Sequence, residues 1–359
     1  MGREAAPEVA AAQAAPPVAP AGHWAIAWRR LRRDRVGFAC LVAILALILL
    51  VFAGAPIAAR LLHHGPNDLF PYAVDINDKP ASPWTRVPAL HDLPPVTQEY
   101  AIDKPKPPKG TSNTLLILGA DGPLGRDEFL RLLYGGQESL EVALGATLLA
   151  LVLGIALGAV AGYFGGWIDA IVSRFVDVVM TFPLLLFLLM LATTTTPHLD
   201  HVTFGGVLNE GVFGLVVLIG VFTWFYPARI VRAEMLTLRS REFVEAAAMT
   251  GSSDLRIIRK HLIPHVAPAL AAYGAVLVAT NVMLEASISF LGVGIKLPTA
   301  SWGTLLTATW GSLLEPYHYN HLGFQPWLTI LPSLAIFLTV LSFNLLGDSL
   351  RAALDPQRA

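Results

Sequence analysis

Ionisable side chains are scarce in this chain, so the few that interrupt its apolar runs are the first candidates for chemistry. Glu285 stands alone among the charged residues of Val266–Ile295. A carboxylate in such a run is costly, and three roles would justify it. It can line a translocation path, bind Arg or backbone groups to lock two helices, or reach the water interface on the outer side. Arg174 and Asp177 lie near the start of another run, Ile171–Ala192. Their spacing of three puts them on one helix face, where they can pair; an ion pair supporting a cytoplasmic gate is expected. The stretch "GADGPLGR" invites comparison with a phosphate loop but lacks the Gly-x4-Gly-Lys-[Ser/Thr] spacing. His63-His64, His198 with His201, His261 with His265 and His318 with His321 have no cysteine or dense acidic set beside them, so no metal site is expected. The single cysteine, Cys40, sits in an apolar run and excludes an intrachain disulfide. No nucleophile–base–orienter set stands out, which argues against an enzyme.

The elements that must position these residues are apolar helices. The chain is 54% hydrophobic and 14% charged, with a mean hydropathy of +0.57. A soluble domain carries about 25% charged residues, so the composition fits a polytopic membrane protein. A spanning helix needs about 20 apolar residues, and six runs are read as spans: Gly37–Ile57, Val142–Phe164, Ile171–Ala192, Gly211–Ala228, Val266–Ile295 and Trp327–Leu346. "WRRLRRDR" precedes the first, and Arg229–His265 between the fourth and fifth holds seven Lys and Arg. The loop Thr193–Glu210 has none. By the positive-inside rule both termini face the cytoplasm. The net charge of −1 gives no sign of nucleic-acid binding.

The expected organisation is a disordered Ala/Pro-rich tail and basic segment at 1–36, a first span at 37–57, and a long extracytoplasmic loop at 58–141. A five-helix core follows at 142–347, with a cytoplasmic tail at 348–359. The long loop is rich in proline; it reads equally as a small subdomain or lid and as an extended, weakly structured insertion.

Within 229–265, "EFVEAAAM" favours a helix, and Gly251 offers the left-handed conformation that ends one. Ser252, Ser253 or Asp254 can cap a second helix from Leu255. Its apolar stripe would be Leu255, Ile258 and Leu262, with Pro264 and Pro268 bending the chain into the fifth span. Two short helices around a tight turn serve either as an amphipathic connector resting on headgroups or as a docking element for a cytoplasmic partner.

The spacing Glu245-Ala246-Ala247, then Gly251, then His261-Leu262-Ile263-Pro264 resembles the EAA loop of ABC importer permeases. The family pattern ends in Ile-x-Leu-Pro, from which His261 and Ile263 depart. "LGADGPLGRDEFLRLLYGGQESL", "GYFGGWIDAIVSRFVDVVMTFP", "LEASISFLGVGIKLPTASWGTLL" and "LGDSLRAALDP" are similar to segments of the C-type subunits in the dipeptide, oligopeptide and nickel group. The resemblance implies an all-α, six-helix permease of the type I importer fold in a bacterial inner membrane. Glu245, Ala246, Ala247, Gly251, Ser252, Asp254 and Leu255 would form its coupling element. Its partners would be a homologous permease, two ATP-binding subunits that carry the ATP and Mg, an extracytoplasmic substrate-binding protein and membrane lipid. No cofactor is expected on this chain. Di- or oligopeptides are the expected cargo. The alternatives are nickel, glutathione or another small solute, and, in a different class, a non-transporting membrane scaffold.

Overall fold

A computed structural model of the chain describes residues 23–74, 80–89, 111–199, 202–203, 208–307 and 326–354. Helix α1 (His23–Arg33) precedes α2 (Arg35–Leu62), which contains one π turn at Leu50–Gly54. An outer segment follows, and then α3 (Glu128–Phe164), α4 (Gly166–Val179) and α5 (Leu184–Leu199). The chain continues through α6 (Val212–Thr223), α7 (Phe225–Leu238), α8 (Glu242–Met249), α9 (Asp254–Phe290) and α10 (Pro326–Leu354). The tail at 1–22 and the residues after 354 lie outside the described residues, as do His201, His318 and His321.

Four of these helices, α2, α3, α9 and α10, are each long and apolar enough to cross a membrane. The third and fourth expected spans are instead bent pairs. α4 and α5 meet at 88°, and α6 and α7 at 41°. The first break falls at Met180–Pro183, where Pro183 withholds a backbone donor and its ring excludes a straight helix. Among the described residues there are thus four candidate spans, or up to six if each bent pair is one.

α3 begins at Glu128, well before Val142, because its extra turns are charged yet buried against other protein. A search for uncharged runs misses a helix whose Glu128, Arg131 and Glu138 find their surroundings inside the fold. Asp127 caps it, accepting from Phe129 N at 2.8 Å and Leu130 N at 3.3 Å, the usual way to satisfy orphan donors at a helix start.

The chain is mostly helical, as expected, but the segment between α2 and α3 adds short strands. β1 (Thr85–Pro88) pairs antiparallel with β2 (Asn113–Leu116), and β3 (Ala120–Asp121) with β4 (Arg126–Asp127). Phe70, Ala73, Val87, Leu116 and Ala120 close a small core beneath them. This is a folded subdomain rather than an extended insertion; residues 75–79 and 90–110 of the loop lie outside the description. Buried ion pairs fasten it to the helices. Asp121 receives Arg131 Nε at 2.6 Å and Arg126 at 2.9 Å. Burial pushes the Asp121 carboxyl up, and the two guanidiniums only partly pull it back. Arg131 also donates to Asn67 at 2.8 Å and to the Pro298 carbonyl at 3.1 Å.

His64 makes a second fastening. Its Nε2 lies 2.8 Å from Asp127 and its Nδ1 2.9 Å from the Leu62 carbonyl. Both partners are acceptors, so both ring nitrogens must donate, which is the protonated state. Burial disfavours that charge, but the hydrogen bond and charge of Asp127 outweigh it and hold the pKa above the ordinary histidine value.

α3 packs its C-terminal half directly on α7. A Cβ at Gly154 would come within 2.7 Å of Pro227, one at Gly158 within 2.5 Å of the Ala228 carbonyl, and one at Gly162 within 2.6 Å of Met235. Glycine at every fourth position lets the two backbones touch, the small-residue packing that serves helices in lipid.

Two outcomes follow. Gly158→Val should destabilise the chain by about 1–3 kcal/mol, read as loss of monodisperse protein after heating in detergent; the exposed Leu148→Ala serves as control, and equal melting of the two would refute the close contact. The His64 clamp has a raised folded pKa, so its contribution is complete below about pH 6.5 and fades as pH rises through the folded pKa. Hydrogen exchange at residues 62–74 should therefore speed up beyond the intrinsic rate change as pH rises above about 6.5, and His64→Gln should abolish that excess.

Candidate functional site

The segment between α7 and α9 has the expected turn and a different second half. α8 ends in a Schellman arrangement: Ser252 N donates to the Ala247 carbonyl at 3.1 Å and Gly251 N to the Ala248 carbonyl at 3.0 Å. This pattern needs a left-handed residue, and Gly251 supplies φ +81°. The second helix is not a separate short element. It starts at Asp254 with Ser253 as the N-cap and runs directly into the fifth span through a π turn at Ile258–Leu262. The π turn lies where prolines were expected to bend the chain, and Pro264 follows directly after it in the continuing helix.

The buried face of this segment is Val244, Ile257, Ile258 and Leu262, joined to Val231, Met235 and Ala159 of α7 and α3. Leu255, expected on that face, is 74% exposed, and Met249 is 82% exposed. Glu245, Ala246, Gly251 and Asp254 are exposed, and Ala247 and Ser252 half-buried. Phe243 stacks on His265 at 5.2 Å. Outward-facing Met249 and Leu255 thus flank a turn whose Gly251 has open space where a Cβ would stand. An apolar surface beside Ala-rich helix, backed by a fixed core, has the composition of a partner-binding face.

Two contacts tie this face to α3. The Tyr163 hydroxyl donates to Asp254 at 2.8 Å, and Arg239 Nη1 donates to the Tyr163 carbonyl at 3.3 Å. The end of α3 is therefore held by the residues on either side of the coupling segment. Tyr163 was not singled out in the sequence, and its partner lies 91 positions away; no local pattern announces that bond.

Asp177 does not take Arg174 as its partner. Its Oδ1 accepts from Arg229 of α7 at 2.6 Å. Arg232, one turn further on, grips Asp169 through both carboxylate oxygens. The ladder runs between helices because Asp169 and Asp177 face α7, whose Arg229 and Arg232 share one side by their spacing of three. The two pairs border a cleft of about 260 Å³ between α3, α4 and α7, with Ser173, Val176 and Ala228 on its walls.

Glu285 is fully buried, which removes the interfacial reading. Its Oε1 accepts from Ser289 at 2.8 Å. Ser289 Oγ in turn accepts from Ile295 N at 3.2 Å, and Ser139 Oγ from Trp302 N at 3.2 Å. The carboxylate thus supports the turn after α9 through Ser289, while Ser139 ties the segment at Trp302 to α3. Nearby, Asn209 donates to Glu138, a pairing that links the start of α6 to α3. Among the described residues no cluster of three or more metal-ligating side chains occurs.

Residues 154–359 match the family described as binding-protein-dependent transport system inner membrane component. Residues 22–86 match the N-terminal transmembrane domain of oligopeptide transport permease C. The chain is 38% identical over 240 residues to a protein named as a peptide permease in Brucella ovis, covering 67% of this chain and 72% of that one. It is 33% identical to the oligopeptide transport system permease protein OppC of Haemophilus influenzae, over 65% of this chain and 68% of that protein. It is 36% identical to the glutathione transport system permease protein GsiD of Escherichia coli, over 65% and 70% respectively. Among solved structures, an inward-facing MetNI methionine ABC transporter aligns at a TM-score of 0.46 and 20% identity, over 62% of this chain and 96% of that one. With the match running from Gly154 in α3 through α8 and its turn to Ala359, the chain belongs to the binding-protein-dependent inner-membrane components, the permease subunits of ABC importers.

Proposed function

We propose that this subunit imports di- or oligopeptides across a bacterial inner membrane. It has the type I importer fold, with six spans and both termini in the cytoplasm. It forms the path with a homologous permease, receives cargo from an extracytoplasmic binding protein, and is driven by two ATP-hydrolysing subunits that carry the ATP and Mg. The observation that carries this reading is the coupling face: an exposed apolar turn at Gly251, rigidly backed and wired to α3 through Asp254 and Arg239. Such a face lets a partner's motion favour one permease state over the other, which is what alternating access requires. The peptide cargo is supported by the names of the relatives. Glutathione, also named among them, is a short peptide-like solute and stands as the second reading. Nickel transport and a non-transporting scaffold have no comparable support.

In this scheme the residues from Glu245 to Leu255 seat in the ATP-binding subunit. Asp177 and Arg229 belong to a cytoplasmic latch between α4 and α7, and Arg174 remains on the exposed side of α4. Glu285 is a positioning residue that fixes Ser289 beneath the turn after α9 and does not touch cargo.

Three measurements test these assignments. Gly251→Val forces a β-branched residue into a left-handed conformation, a cost of about 1–2 kcal/mol. It should lower labelled-dipeptide uptake about tenfold with membrane insertion intact, while Gly251→Asn, which tolerates that conformation, should retain most activity. Normal uptake by the Val variant would sink the coupling role. For Glu285→Gln, the chain should melt earlier in detergent with the KM for uptake unchanged; a shifted KM at normal stability would place Glu285 in the path instead. Uptake of labelled dipeptide competed by glutathione but not by longer peptides would favour the second cargo.

A further inference from the structure

The cytoplasmic corner before the first span carries a fixed cationic surface that neither the coupling face nor the translocation path uses. α1 buries Ala27 and Leu31 and packs against α10 and the start of α2. Arg29 and Arg33, four apart, fall on the face opposite that pair at 100° per residue, and both are exposed. Arg32 is exposed beside them, its guanidinium 4.8 Å above the Trp28 ring, and Trp28 is itself 44% exposed. Arg35 adds a fourth exposed guanidinium one residue past the corner.

The corner is built rather than loose. Arg30, the remaining arginine, turns away and donates to the Ala353 carbonyl at the end of α10, at 3.3 Å. Asp34 caps α2 through Val36 N at 3.1 Å. The hydrogen bond from Ser349 of α10 holds the Asp34 carboxyl below its usual value against a small opposing effect of burial. Gly37 sits so close to Ser349 that a Cβ would lie 2.5 Å from it. The one acid in Trp28–Val36 is thus committed to capping and to α10, and four guanidiniums are left outward.

We propose that this surface binds the phosphate groups of anionic phospholipids in the cytoplasmic leaflet. Charge complementarity selects the occupant: clustered Arg on an amphipathic helix immediately before a span attracts anionic headgroups, and Trp with Arg alongside suits the headgroup region. Guanidinium forks match phosphate oxygens in two-point contacts. Because α1 rests on α10 and Arg30 caps it, lipid held here braces the cytoplasmic end of α10.

The test uses the full-length chain in detergent by native mass spectrometry, titrated with phosphatidylglycerol or phosphatidylcholine of the same acyl chains. The parent should retain phosphatidylglycerol at least tenfold more than phosphatidylcholine. The variant R29Q/R32Q/R33Q/R35Q, which leaves Ala27, Arg30, Leu31 and Asp34 in place, should lose that preference, and the matching Lys variant should keep most of it. Raised salt should weaken binding in the parent. A quadruple Gln variant that keeps the full preference, or a parent with none, would overturn the proposal. If the Gln variant inserts in the opposite orientation in cells while the purified parent shows no preference, the arginines only set topology, which likewise overturns it.

Discussion

The contact that the rest of the chain depends on is the approach of α3 to α7 along Gly154, Gly158 and Gly162. Lipid tails give helices little hydrophobic reason to associate, so packing area and short distances must do it. With no Cβ on one side, α7 presses its own backbone into α3, and Ala228 and Arg232 sit where side chains would otherwise stand. The bend at Trp224 between α6 and α7 follows from this: α6 packs on the outer half of α3 through Gly145 and Gly220, and α7 must follow the inner half. Once α7 is placed, Arg229, Arg232 and Arg239 are aimed at α4 and at the end of α3 without further adjustment.

At the outer end the solution is electrostatic. Asp121, Arg126, Arg131, Asp127 and His64 are buried together, and burying charge is costly unless each group finds a partner. Arg131 meets that condition by spanning three parts of the chain: the ribbon at Asp121, the segment after α2 at Asn67, and the turn after α9 at Pro298. Glu285 accepts from Ser289, whose Oγ in turn accepts from Ile295 N of that same turn. Removing any one charge would strand another, so the outer subdomain and the helices are fastened as a unit.

Much of this was legible in sequence, though unevenly. Long uncharged runs announced α2, α9 and α10, and Gly251 after an Ala-rich helix announced the turn, because these depend on residues adjacent in the chain. Three things were hidden for one physical reason, that partners distant in sequence decide them. The first turns of α3 looked like loop because they are charged, and only distant parts of the chain bury them, with Asp121 pairing Arg131 and Asn209 donating to Glu138. Asp177 looked matched to Arg174 on its own helix, while the geometry of α4 on α7 delivers Arg229. Leu255 continued an apolar stripe by spacing, yet the rotation set by the π turn at Ile258–Leu262 turns it outward and brings Ile257 in. The β ribbons escaped notice because strands of four residues or fewer leave almost no periodicity.

The two ends of α3 differ in how firmly their charges are held, and the difference bears on which end moves in the proposed transport cycle. The outer pairs are nearly solvent-free, so separating them would strand charge in a poor medium. The Arg229–Asp177 pair has half its surface in solvent, 54% and 48%, and Arg232–Asp169 is also partly exposed. Exposed pairs contribute about 0–1 kcal/mol, so water can replace either partner at little cost. A two-state device needs contacts that distinguish its states by only a few kcal/mol. The α4–α7 ladder meets that requirement and the outer cluster does not. Motion delivered at Asp254 and Arg239 therefore meets least resistance where α4 slides on α7, with the outer subdomain carried along as a fixed body on α3.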